Sequence, residues 1–151
     1  TLATDLTVAD HAGRLITMDP AGTPTAITIP SIISTADAAV AGASDPNNPN
    51  TIGTTFEILF IDNFTGTIKT ANTADKFVGA VTLGITASVA GKQFQAATGN
   101  NEVNLNGEAG TATTGGLKGS IIKFTAIAAN LYAVEGQLLA AGVLATPFDN
   151  Q

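Results

Sequence analysis

A single histidine, His11, limits the catalytic chemistry available to this sequence, because a Ser-His-Asp triad would have to use it. No serine lies in a nucleophile-elbow sequence, and the chain has no cysteine that could act as a nucleophile or a zinc ligand. Asp10 and Asp5 lie nearby, but adjacent residues on a strand point to opposite faces and make a poor ligand pair. We therefore expect His11 to be a partly exposed residue of a strand or an arm.

Two pairs of carboxylates have a spacing that invites comparison with glycoside hydrolases, which hold two such groups roughly 5–9 Å apart. Glu57 and Asp62 flank an apolar run, and Glu102 and Glu108 flank a turn. Strand ends and turns often carry acidic residues, and nothing in the sequence marks either pair as desolvated. The sequence also lacks a calcium-binding loop of alternating Asp and Asn. We expect a protein that is not an enzyme and that has no cofactor or metal.

The glycine-rich segment 106–124, NGEAGTATTGGLKGSIIKF, resembles a phosphate-binding loop only superficially. Gly110 and Gly115 have the required separation, but the lysine position holds Gly116. Lys118 comes two residues late, Ser120 is not beside it, and the β-branched residues that follow favour a strand over a helix. We interpret the segment as a sharp turn at Gly115 and Gly116 that leads into a strand, with Lys118 exposed.

Composition and charge exclude several classes of partner. The chain of 151 residues has a formal net charge of −6, and its six basic residues are dispersed. Without a basic stripe and interleaved aromatic residues, neither nucleic acid nor an anionic membrane is an expected partner. No apolar run is long enough for a membrane-spanning helix, and we see no signal or transit peptide at the N-terminus. The Asn63 glycosylation sequon is best read as part of a turn.

Most of the sequence consists of short apolar runs separated by turn residues, which predicts an all-β fold, mainly an antiparallel sandwich or barrel. We expect TFEILFI (55–61) to be a strand buried on both faces and TIKTA (67–71) to return beside it as a hairpin. GSIIKFTAI (119–127) and LYAVEG (131–136) predict a second hairpin. The further predicted strands are RLITM (14–18), TAITI (25–29), KFVGAVTLGIT (76–86), KQFQAA (92–97) and EVNLN (102–106).

The chain is expected to form one β-rich domain over residues 1–151, with residues 1–12 as an extended N-terminal arm. Helical spacing of apolar residues predicts one short helix near residues 34–41, followed by a surface loop at DPNNPN (45–50). Phe148, near the C-terminus, could anchor a neighbouring subunit or fill the core, and the sequence does not decide between these alternatives.

The order of the apolar segments resembles that of capsid decoration (cement) proteins and related small virion proteins of tailed bacteriophages. The strongest portion is LNGEAGTATTGGLKGSIIKFTAIAANLYAVEG (105–136), together with the ATPF ending. Tyr132 stands where the family pattern has an aromatic residue, often Trp. The insert SIISTADAAVAGASDPNNP (31–49) is longer than the pattern. The remaining matching segments are AGRLITM, TAITIP, GTTFEILF, TGTIKTA and ADKFVGAV.

The resemblance implies a non-enzymatic homotrimer on the outer surface of the phage head, at three-fold and quasi-three-fold positions. Its partner would be the major capsid protein, whose expanded shell it would clamp and stabilise. The alternative is a receptor- or carbohydrate-binding module of a phage tail fibre. That module would need an exposed site, for which Tyr132 and residues 43–50 are the best candidates.

Overall fold

The computed structural model describes residues 2–19, 24–32, 52–85 and 90–151, and these residues form an all-β sandwich of two mixed sheets. The predicted fold class is thereby confirmed. In chain order the elements are β1 (Leu2–Asp5), α1 (Val8–His11), β2 (Leu15–Met18), β3 (Pro24–Ile29), β4 (Thr55–Phe60), β5 (Gly66–Thr70), β6 (Lys76–Ile85), β7 (Lys92–Gln95), β8 (Glu102–Leu105), β9 (Ile121–Ala128), β10 (Leu131–Ala140) and β11 (Phe148–Asp149).

The strands divide between a five-stranded sheet, in the order β1-β3-β5-β8-β11, and a six-stranded sheet, in the order β2-β4-β9-β10-β6-β7. Five of the nine described strand pairs are antiparallel. The other four are parallel. We had expected antiparallel pairing to dominate, but the chain repeatedly crosses from one sheet to the other and returns in the same direction.

The predicted hairpin between residues 55–61 and 67–71 is wrong, because β4 belongs to the six-stranded sheet and β5 to the five-stranded sheet. The turn residues between them carry the chain across the sandwich. Phe64 is fully buried at this crossing, and its ring stacks on Phe60 at a centroid distance of 4.8 Å. A buried aromatic residue inside the turn thus connects the two layers.

The second predicted hairpin is confirmed. β9 and β10 pair antiparallel through a two-residue connection, in which Asn130 adopts a left-handed conformation with φ of 56°. Asparagine tolerates this conformation better than most residues.

The core lies between the sheets and is built by alternation along the strands. In β4 the residues Phe56, Ile58 and Phe60 are fully buried, whereas Glu57 and Leu59 are only partly covered. The expectation that this strand is buried on both faces is therefore wrong, because no further layer covers its outer side within the described residues. Phe148 is 7% exposed and belongs to this core, so the structure favours the core-filling alternative for its side chain.

The N-terminal segment lies against the sandwich. β1 pairs in parallel with β3, Leu6 is buried in the core, and the Leu6 backbone N–H donates to the Thr28 carbonyl oxygen at 2.9 Å. The predicted helix near residues 34–41 and the predicted loop at 45–50 lie outside the described residues. No helix in the described ranges is long and apolar enough to cross a membrane.

Candidate functional site

The glycine-rich segment uses its backbone donors for folding. The backbone N–H groups of four consecutive residues, 117–120, donate to Leu139 O, Asn63 Oδ1, Phe60 O and Leu117 O, respectively. A phosphate-binding loop must instead point such groups at its ligand. The residue after this run begins β9, so no helix N-terminus follows.

Ser120 is equally committed to the fold. It is fully buried; its hydroxyl donates to the Leu117 carbonyl oxygen at 2.7 Å and accepts the Leu139 N–H at 2.9 Å. Gly115 and Gly116 have φ values of 92° and 100°, as the predicted sharp turn requires. Lys118 is exposed. The interpretation of this segment as a turn that leads into a strand is confirmed.

His11 belongs to a helical turn, and not to the strand or extended arm that we expected. Its Nδ1 accepts the Thr7 backbone N–H at 2.9 Å, and the Thr7 hydroxyl both accepts the Asp10 N–H and donates to an Asp10 carboxylate oxygen. These contacts cap α1, because the N-terminal N–H groups of a helix need partners outside the helix. The described residues contain no group of three or more His, Cys, Asp or Glu side chains that could hold a metal ion.

The two pairs of acidic residues lie on different sheets. Glu57 lies on the outer side of β4 in the six-stranded sheet, and Asp62 follows that strand and accepts the Asn63 N–H. Glu102 lies on β8 of the five-stranded sheet, and Glu108 accepts the Thr111 hydroxyl in the loop beyond it. None of these carboxyl groups is buried, so neither pair shows the desolvation that would mark a general acid.

Tyr132 does not offer a sugar-binding platform. Its side chain is fully buried, its hydroxyl donates to the Pro30 carbonyl oxygen at 2.6 Å, and its ring meets Phe77 edge-on. Residues 43–50, the other part of the expected binding site, lie outside the described residues. The structure therefore removes Tyr132 as the aromatic residue on which a carbohydrate site was predicted to depend.

Asp75 is the one charged residue in the described ranges whose side chain is fully buried. Neither of its carboxylate oxygens has a partner at full hydrogen-bond distance and geometry. It precedes β6, at the turn between the two sheets. Burial raises the pKa of its carboxyl group from 3.8 to about 6. The Ile32 N–H, the Ser31 hydroxyl and the charge of Lys76 offset this only in part. No sequence pattern marks this residue, which stands in an ordinary polar turn.

A cavity of about 550 Å³ opens between α1 and the ends of β3 and β5. Its charged lining groups are Asp5, Asp10 and Lys69, and most of the rest are small hydroxyl-bearing or aliphatic residues. The cavity has neither an aromatic wall nor a set of metal ligands. It is a concave surface that could receive part of a partner.

The outer surfaces of the two sheets differ in character. Across the five-stranded sheet, register places Asp5, Thr28, Lys69, Glu102 and Asp149 in one row. Three acids and one base give this surface an excess of negative charge. The outer surface of the six-stranded sheet, which we call the β2–β7 face, carries two acids and two bases, Glu57, Glu135, Lys76 and Lys123, and is otherwise a mixture of aliphatic residues with threonines and glutamines.

Comparisons with models of protein families, with curated proteins and with solved structures found no match for this chain. The functional argument therefore rests on the chain itself.

Proposed function

We propose that this protein is a structural virion protein that decorates the outer surface of a phage head as a homotrimer. It would sit at three-fold and quasi-three-fold positions and bind the major capsid protein of the expanded shell. The observation that supports this function best is the electrically balanced β2–β7 face with its exposed apolar side chains, which suits contact with other subunits. The segment order that resembles decoration proteins supports it independently.

A trimer of this kind stabilises a shell by touching several capsomers at once. Each contact can be weak, because linking them raises the overall avidity by about 10²–10⁴. A protein that binds only the assembled, expanded shell shifts the equilibrium toward that state by mass action. The shell would then resist the pressure of packaged DNA without any covalent chemistry by the decorating protein.

We assign the contact with the shell to the N-terminal segment, residues 2–12, and to the turns beside it. Asp10 in α1 is exposed, and the 550 Å³ cavity lies between α1 and the turns at 30–31 and 70–71. The carboxylates of Asp5 and Asp10 make this end of the sandwich suitable for a basic or hydrogen-bonding surface of the capsid protein.

Binding to capsids stripped of decoration tests the proposal directly. Purified protein is mixed with expanded capsids and with unexpanded procapsids, and bound protein is measured by sedimentation. We expect saturable binding to expanded shells, threefold density at the local three-fold positions by electron microscopy, and a higher temperature of shell disruption. Failure to bind expanded shells, or density elsewhere on the particle, would refute the function.

The tail-fibre alternative predicts binding to a glycan or a cell-surface receptor. Among the described residues no exposed aromatic side chain offers a platform, since Tyr132 is buried. We expect no specific signal on a glycan array. A reproducible glycan ligand, together with an absence of capsid binding, would establish the alternative in place of the decoration function.

A further inference from the structure

The β2–β7 face combines apolar side chains with an ordered charged row. Register aligns Leu15, Glu57, Lys123, Glu135 and Ala80 across five neighbouring strands. On one side of this row the outward positions include Leu59, Ile61, Ile121 and Leu139, and on the other they include Val78, Ile127, Leu131 and Ala133. The rows on either side of it mix these aliphatic residues with uncharged polar ones, namely Thr17, Thr55, Thr82, Thr125 and Gln137.

Large apolar side chains that remain exposed are concentrated on this face. Leu15, Ile61, Val78 and Ile127 are between 40% and 52% exposed, and each points outward from the six-stranded sheet. Ile52 lies at the end of the same face, where the adjacent Gly53 N–H donates to Ala126 O. Four of the six large apolar side chains that are most exposed in the described residues therefore share one face, as is common at interaction sites.

The charges of the face favour a second copy of the same chain. The chain has a net charge of −6, whereas the two lysines and two glutamates of the face sum to zero, so the other residues carry the whole negative excess. Two copies therefore repel each other least when they approach through this face. Lys123 pairs with Glu135 at 3.0 Å, while Glu57 forms no ion pair in the described residues and can accept a lysine from another copy.

The area of the face is close to that of one standard interface. Six strands at about 4.8 Å spacing and about eight residues at 3.3 Å rise give roughly 700 Å². A stable interface of standard size buries about 800 Å² on each partner. When a single copy covers the face, its area therefore comes close to that of a standard interface. In a trimer each of the two neighbours would cover about half of it, roughly 350 Å², and adjoining surfaces would add to the contact.

We infer that the β2–β7 face is the self-association surface of this protein, and that it packs against further copies of the same chain. In a trimer, three such faces turn toward the three-fold axis and leave the polar five-stranded sheets outside. The inference rests on the homo-oligomer that the proposed function requires, but it does not depend on the capsid.

The first test compares the mass of the unmodified chain with that of two variants by light scattering over a concentration series. We expect a species near three times the 15.1 kDa of one chain for the unmodified protein. Val78→Lys combined with Ile127→Lys should raise the dissociation constant by about 100-fold or more, because desolvated anchors dominate interfaces. Val143→Lys removes another exposed apolar side chain, which lies in a loop off the face, and should leave the oligomer intact.

A second measurement reports on the face without relying on a disruptive substitution. Because the chain has no cysteine, Ile127→Cys and Val143→Cys each introduce a unique thiol whose maleimide reaction can be timed. In the oligomer, Cys at position 127 should react at least about tenfold more slowly than Cys at 143. Dilution should reduce the difference to the small one that the exposures of 42% and 83% in the single chain allow. Circular dichroism confirms that each variant is folded.

A monomeric unmodified chain, or equal reaction rates at both positions in the oligomer, would overturn the inference. The capsid assay gives a separate answer. An oligomer with a protected β2–β7 face that does not bind expanded shells would leave the inference standing and refute the decoration function. An oligomer that binds shells but leaves position 127 reactive would do the opposite.

Discussion

The Tyr132 hydroxyl on the six-stranded sheet donates a 2.6 Å hydrogen bond to the carbonyl oxygen of Pro30, which follows β3 of the five-stranded sheet. This bond joins the two layers inside the core, where both partners are buried. The tyrosine hydroxyl gives the buried Pro30 carbonyl oxygen a hydrogen bond that an apolar side chain at this position could not supply.

Replacing this tyrosine with phenylalanine should isolate the hydrogen bond. In Tyr132→Phe the ring keeps its contact with Phe77 and only the hydroxyl is lost, so we expect the free energy of unfolding to fall by about 1–2 kcal/mol. Urea unfolding followed by circular dichroism measures the change. Equal midpoints for the variant and the unmodified chain would show that the bond contributes nothing to stability.

The buried carboxyl group of Asp75 should make stability depend on pH. Its pKa is raised to about 6 in the folded chain, above the ordinary 3.8, so the folded state holds this proton more tightly. The contribution of this carboxyl group to the free energy of unfolding is therefore fully present below about pH 4 and is lost as the pH rises through 6. Asp75→Asn removes the buried charge and should stabilise the protein by about 1–3 kcal/mol at pH 8.

The Asp75→Asn gain should vanish near pH 4, because the native carboxyl group is neutral there. Asp62→Asn is the matched control, since Asp62 is exposed and an asparagine can still accept the Asn63 N–H. Thermal melts of the three proteins from pH 4 to pH 8 make the comparison. A gain for Asp75→Asn that is the same at both ends of this range would show that the carboxyl charge is not its cause.

Two glycines of the loop that precedes β9 should respond very differently to the same substitution. Both have positive φ, but a Cβ at Gly116 would lie 2.4 Å from the Phe64 carbonyl oxygen, whereas one at Gly110 meets nothing within 4 Å. Gly110→Ala should cost about 1–2 kcal/mol, the strain of the left-handed conformation alone. Gly116→Ala should cost more than about 3 kcal/mol because overlap adds to that strain. Chemical denaturation of both variants gives the values; similar costs would argue against this packing.

The N-terminal segment should be held in place by Leu6. Truncating this buried side chain in Leu6→Ala should lower the free energy of unfolding by about 2–3 kcal/mol. It should also accelerate amide exchange at Leu6, whose N–H bonds to Thr28 O, more than exchange in β9. Hydrogen exchange followed by mass spectrometry resolves the two segments. Uniform acceleration would mean that the segment unfolds only with the whole sandwich.

The sequence predicted the strands well because alternation and turn residues are local signals. The runs at 76–86 and 102–106 closely match β6 and β8, and the β9–β10 hairpin has the expected short turn. Local signals of this kind could not show whether β4 pairs with β5 or lies in the other sheet. The residues at 62–66 favour a reversal of the chain, but only the burial of Phe64 decides that the reversal leads into the other sheet.

The candidate surfaces were less predictable than the strands. The burial of Tyr132 could not be predicted, because it depends on contact with the end of β3 in the opposite sheet, which is distant in sequence. The buried carboxyl group of Asp75 and the exposed apolar side chains of the β2–β7 face likewise arise from contacts between residues far apart along the chain. Register between strands, and not the composition of any one strand, creates the face.

The parallel pair of β6 and β10 has a consequence for the biogenesis of the protein. Their ten paired positions join residues 55 apart in the chain, as in Lys76 with Leu131. The ladder cannot form until β10 has been synthesised, and long-range closure of this kind is slow. Before closure, the chain exposes unpaired strand edges, which favour pairing with other chains. Yield in an expression host should therefore depend on growth temperature and chaperone supply more than on the stability of the finished fold.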